Sequence, residues 1–208
     1  HLASTLILNQ DGMVQLVFWF AFQPLRIVAA GSDPGLGVPL IWTPFTHALL
    51  HGGWDHLLFN VVWLAIFGTP VARRYGAGPM LAIFFISAAA GAALFAATTL
   101  YSGAYLIGAS GGISGLTGAA VRFIFQPVIV SRHPETGEQV ILGRQLASLG
   151  DIWRNSRTRS FVLIWVVLNA AVPLLPLFTG ASVMVAWQAH LGGFIAGILI
   201  VGLFERRS

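Results

Sequence analysis

His56, Asn60, Ser110, Ser114, Asn169 and His190 stand inside otherwise apolar runs of this sequence. Polar and ionisable side chains in such surroundings are costly and by default functional. A serine hydroxyl becomes a nucleophile when a base takes its proton, and an imidazole with a pKa near ~6.5 is the suitable base at neutral pH. The chain has no cysteine, which excludes a thiolate nucleophile, thiolate zinc sites and disulfides. Ser110 lies in Gly108-Ala109-Ser110-Gly111-Gly112 and His190 in Ala189-His190-Leu191-Gly192-Gly193. The oxyanion formed when Ser110 attacks a carbonyl needs donors, which backbone N–H groups at the start of the Ser110 helix, His56 and the Asn60 amide supply. The expected machinery is a Ser-His dyad of Ser110 and His190, with an oxyanion hole from His56, Asn60 and the Ser110 backbone. No carboxylate lies in these runs, and Asp55 sits at the rim on the wrong helix to orient His190, so no triad is expected. No metal or cofactor is called for.

Each residue also has a plainer reading. Glycine-flanked serines in membrane helices are commonest as packing residues, and one intramembrane histidine also serves as an interhelical hydrogen bond or a proton relay. His56 near a helix end also fits a cap. Co-occurrence on one leaflet is what favours chemistry. Gly108-x-Ser110-x-Gly112 matches a nucleophile elbow too, but no strand precedes it.

The elements that must position these groups are membrane helices. The 208 residues are 56% hydrophobic and 9% charged, against about 45–50% and about 25% in soluble domains, and the mean hydropathy is +0.80. Soluble, disordered, collagenous and coiled-coil classes are excluded. A bilayer crossing needs about 20 apolar residues. The 47 uncharged residues between Arg74 and Arg122 supply two crossings, and the 45 between Arg159 and Glu205 supply two more. His56 to Ala72 gives another, slightly short. The expected spans are 56–73, 79–100, 107–126, 160–179 and 186–204, within a single domain over 1–208. Met13 to Pro24 is too short to cross and suits the interface. Only Ser131 to Ser160 looks soluble, and there is no internal repeat.

Net charge is +4, but all basic residues other than histidine are arginines and their placement follows topology rather than nucleic-acid binding. Arg73 and Arg74, the six arginines from Arg122 to Arg159, and Arg206 and Arg207 fall on one predicted side, with Arg26 alone on the other. The positive-inside rule makes the crowded side cytoplasmic. Ser110, His190, His56 and Asn60 then share the external leaflet. Gly111 and Gly115 on one helix, and Gly193 and Gly197 on another, form small-x-x-x-small faces that let backbones approach. Residues 1–10 read like the tail of an earlier apolar helix, and no signal peptide is visible.

These residues resemble the rhomboid family of intramembrane serine proteases. The resemblance runs over nearly the whole chain: His51-Gly52-Gly53-Trp54-Asp55-His56-Leu57-Leu58-Phe59-Asn60, then Gly108-Ala109-Ser110-Gly111, then Ala189-His190 with Gly193 and Gly197. It implies an all-α, polytopic bundle with a six-helix core whose first helix is missing or incomplete here. It implies Ser110 as nucleophile, His190 as base, and His56 and Asn60 around the oxyanion, in a water-filled cavity below the external surface. Implied partners are transmembrane-helix substrates, cut near their external end, and the lipid bilayer, with no nucleic acid; the implied location is a bacterial plasma (inner) membrane.

Two positions depart from the pattern. Trp42 is followed by Thr43 rather than arginine, which bears on how the large external loop is anchored. Ser114 stands where an aromatic often stacks on the base, so His190 must be held by something else. Pro173, Pro176 and the Gly180 to Ala186 turn predict a kinked lateral gate with a lid. Two further readings are a proteolytically silent relative that binds membrane clients or assists assembly, which an intact dyad argues against, and a transporter, which the one-sided polar cluster argues against.

Overall fold

The computed structural model describes residues 8–133, 135–171, 174 and 185–205. Numbering only helices of six residues or more, the order is α1 (Gln10–Phe20), α2 (Trp54–Tyr75), α3 (Ala77–Thr99), α4 (Ser110–Ile124), α5 (Leu149–Arg154), α6 (Ser156–Ala171) and α7 (Trp187–Ile200). A hairpin of β1 (Val128–Arg132) and β2 (Gln139–Arg144) lies between α4 and α5. Among the described residues three helices are long and apolar enough to cross a membrane, Trp54–Tyr75, Ala77–Thr99 and Trp187–Phe204, the last being α7 with its 3₁₀ extension.

Helix α4 is the hub. It packs against α7, α3 and α2, and residues 111–121 are buried on every face. With 15 residues it is about 22 Å long, shorter than a full crossing, because it is wrapped by protein instead of lipid. Its glycines make this possible. A Cβ on Gly197 would overlap the Gly115 carbonyl, one on Gly193 the Gly111 carbonyl, and one on Gly118 the Phe194 carbonyl. The α4 and α7 backbones therefore touch along three turns, where any side chain would hold them apart.

The large loop between α1 and α2 consists of short helical turns tied to α1. The Trp42 indole donates to the Trp19 carbonyl at 2.7 Å and stacks on its ring, while Thr46 donates to the Phe20 carbonyl at 2.9 Å. Arg26 is buried and its guanidinium donates to the Phe18 and Leu36 carbonyls. This arginine staples the loop from within, in place of one beside Trp42. Phe22 and Leu106 exchange backbone hydrogen bonds and bring the loop over the α3–α4 turn.

The elements depart from the expected boundaries in three ways. Helix α2 has 22 residues and is not short: it continues through Arg73 and Arg74 because Arg74 pairs with Glu205 and donates to the Arg144 carbonyl. Helix α4 stops at Ile124, and the apolar run that follows turns into β1. The soluble-looking stretch is thus not all loop but carries the hairpin. Helix α6 begins at Ser156, after Asn155 accepts from the amides of Arg157 and Thr158. Pro173, Pro176 and the first part of the Gly180 to Ala186 turn lie outside the described residues, as do residues 1–7, Arg206 and Arg207.

Candidate active site

Ser110 is the first residue of α4, so the leading N–H groups of that helix have no carbonyl behind them and the positive end of its dipole lies at the hydroxyl. Gly108 sets this start. Its φ of +112° is one that L side chains rarely adopt, and its N–H donates to the His47 carbonyl at 2.9 Å. The absent Cβ matters as well: at that point an atom would lie 2.7 Å from His56 Nε2 and 3.8 Å from Ser110 Oγ. The His56 imidazole therefore sits directly over the entry to the Ser110 helix. The Gly52 N–H donates to His56 Nδ1 at 3.4 Å, which leaves the His56 proton on Nε2, the nitrogen facing Gly108.

A cavity of about 250 Å³ opens between α2, α4, α6 and α7, lined by Ser110, Ser114, Asn60, Asn169, Trp165 and His190 among others. Of the residues named first from the sequence, Asn60, Ser110, Ser114, Asn169 and His190 share this cavity. His56 does not line it but stands at its edge over Gly108. Asn60 is buried and spends one amide hydrogen on the His56 carbonyl, 2.9 Å away one turn earlier, which keeps the other available. Ser114 also reaches the cavity, one turn below Ser110.

His190 lies in the first turn of α7. Its Nδ1 is 2.8 Å from the Asn169 Oδ1, on α6. Among the described residues no hydrogen bond joins the Ser110 hydroxyl to the His190 ring. Asn169 is the residue whose role the sequence left open. It stood out as polar within an apolar run, yet no spacing rule links positions 21 residues apart on different helices. Trp165 belongs to the helix that the sequence marked as the expected gate. It lies one turn before Asn169, lines the cavity, and stacks on Phe194 of α7.

A helical bundle with three apolar helices of membrane-crossing length among its described residues, and a cavity that holds a serine at a helix N-terminus together with an imidazole, marks an integral membrane protein. The chain belongs to the rhomboid family: the Rhomboid domain matches residues 39–207. It is 26% identical over 200 residues to the rhomboid protease GlpG of Pectobacterium atrosepticum, covering 96% of this chain and 58% of the relative. It is 27% identical over 198 residues to the rhomboid protease GlpG of Salmonella paratyphi A, covering 95% and 56%. The chain thus spans little more than half the length of these relatives.

Proposed function

We propose that this protein is an intramembrane serine endopeptidase that cleaves transmembrane-helix substrates, with residues 1–208 as one rhomboid-like domain. The observation that carries this reading is the shared cavity of Ser110 and His190, with His190 Nδ1 already engaged by Asn169. In the reaction Ser110 Oγ attacks the scissile carbonyl while its proton passes to His190 Nε2. The same nitrogen then protonates the departing amine, and water hydrolyses the acyl-serine ester. The tetrahedral oxyanion is met by the first N–H groups of α4, by His56 Nε2–H and by the free Asn60 amide hydrogen. The absence of a Ser110–His190 hydrogen bond fits a free enzyme, since catalytic hydrogen bonds tighten when substrate binds.

The substrate is taken to enter between helices and to be cut near its external end, where a locally unwound helix exposes its carbonyls. The arginine asymmetry supports an external opening in a bacterial plasma membrane. The test is labelling with a fluorophosphonate beside cleavage of a membrane-helix substrate in liposomes. Labelling and cleavage are both expected in the wild type and both lost in Ser110→Ala with the fold preserved. A well-folded wild type that neither labels nor cleaves would favour the silent, client-binding relative.

A further inference from the structure

The Asn169 carboxamide makes two contacts: its Nδ2 donates to the Trp165 carbonyl at 2.9 Å, and its Oδ1 lies 2.8 Å from His190 Nδ1. A carbonyl oxygen only accepts, so the NH₂ group must face Trp165 and the amide oxygen must face the imidazole. That oxygen also only accepts, so His190 Nδ1 carries the proton. A neutral imidazole has one N–H, and the lone pair is left on Nε2, the nitrogen that a base toward Ser110 requires. No other described residue hydrogen-bonds the His190 ring.

We propose that Asn169 is the positioning residue of the base: through its Oδ1 it fixes both the tautomer and the ring plane of His190. This rests on the reading of His190 as the general base. A neutral amide does this without adding charge. It orients as a triad carboxylate does but stabilises the imidazolium less. The carboxamide is itself aimed by the Trp165 carbonyl on the same helix, so the orientation comes from α6 and not from the helices that carry Ser110 and His190.

The experiment uses the full chain in liposomes, with kcat, KM and pH profiles for Asn169→Leu, Asn169→Asp and His190→Ala. Asn169→Leu keeps the branching of the side chain and removes the acceptor; kcat should fall roughly ten- to hundredfold, as for other orienting partners, with KM within about twofold. Asn169→Asp keeps the acceptor and adds a negative charge that favours the imidazolium. It should recover most of kcat at alkaline pH, with the acid limb of the profile moved to higher pH. His56 is the other titratable group acting on His190 and is unchanged throughout, so a moved limb reports position 169. Loss of packing alone would lower both variants alike and leave the limb in place. If Asn169→Leu does not fold, the Asp profile decides.

Asn169→Leu at the wild-type rate, or an unmoved limb in Asn169→Asp with losses equal to Leu, overturns the proposal. An inactive His190→Ala in that case shows that the base reading stands and only Asn169 was misassigned. Wild-type turnover in His190→Ala would instead remove the base, and with it this inference.

Discussion

The Trp165 indole lies flat on the Phe194 ring, with centroids 4.1 Å apart and planes 15° from parallel. This stack, with buried Val162 and Val121, is the apolar seam of α6 against its neighbours, and the Asn169–His190 hydrogen bond continues it one turn further. The seam is thin beside the α4–α7 contact, where the backbones themselves touch at Gly193 and Gly197. An aromatic pair adds about 0.5–1.5 kcal/mol beyond its area, so a single truncation here is enough to loosen the helix.

Trp165→Ala should therefore raise kcat/KM for a membrane-helix substrate several-fold while leaving the rate of labelling by a small fluorophosphonate no higher than wild type. This follows if, as in the proposed function, a bulky membrane substrate enters past α6 while a small probe reaches the cavity without it. Unchanged kcat/KM for the membrane substrate would mean that α6 is not the gate.

Ser114→Ala should keep measurable cleavage, within about tenfold of wild type, because its neighbouring amides are bonded inside α4 while those at Ser110 are free. Mapping the fluorophosphonate adduct by mass spectrometry checks this directly. An adduct on Ser114 would transfer the nucleophile one turn down the helix.

Gly197→Val should disrupt the α4–α7 contact, since a Cβ there overlaps the Gly115 carbonyl. The expected loss is about 3 kcal/mol or more, in line with strong overpacking of a core. A Cβ on Gly78 meets nothing within 4 Å, and Gly78→Ala should be neutral or stabilising by up to about 1 kcal/mol. Thermal unfolding in detergent separates the two, and equal behaviour would contradict the packing described.

The buried His47 ring has its pKa pushed down to about 4 by burial, from about 6.5 in the unfolded chain. The native state thus binds fewer protons than the unfolded one between these values. Stability from this group is complete above pH 6.5, is lost as pH falls from 6.5 to 4, and reaches a total of about 3 kcal/mol. His47→Leu should flatten the acid decline of stability in that window relative to wild type. The same turn holds Gly108 through the His47 carbonyl, so acid loosening should slow Ser110 labelling as well. Parallel stability curves for the two proteins would refute this account.

A cysteine placed at exposed Glu138, in an otherwise cysteine-free chain, should be labelled only from the cytoplasmic side in intact cells. Labelling from outside would invert the topology and move the candidate site to the inner leaflet.

Charge-free runs made the long apolar helices legible, because lipid penalises charge heavily; among the described residues Trp54–Tyr75, Ala77–Thr99 and Trp187–Phe204 are long and apolar enough to cross. Glycine spacing likewise announced the α4–α7 contact, and the one-turn offset of His56 and Asn60 follows from helical periodicity whatever the rest of the protein does. The β1–β2 hairpin was hidden, since Val128 to Val130, beyond Pro127, are a short apolar run whose pairing with Gln139–Arg144 no local signal announces. The anchoring of the α1–α2 loop by Arg26 and Trp42 was hidden too, because both donate to backbone carbonyls, which leave no mark on residue type. Most of all, the place of the proton on His190 depended on a tertiary contact. His56 Nδ1 meets a donor from nearby Gly52, whereas His190 Nδ1 meets an acceptor from Asn169 on another helix. Identical side chains thereby present a donor in one place and a lone pair in the other, and the second depends on how far α6 and α7 are rotated and slid against each other. Rotation and slide are set by the packing of the whole bundle, and no local pattern encodes them.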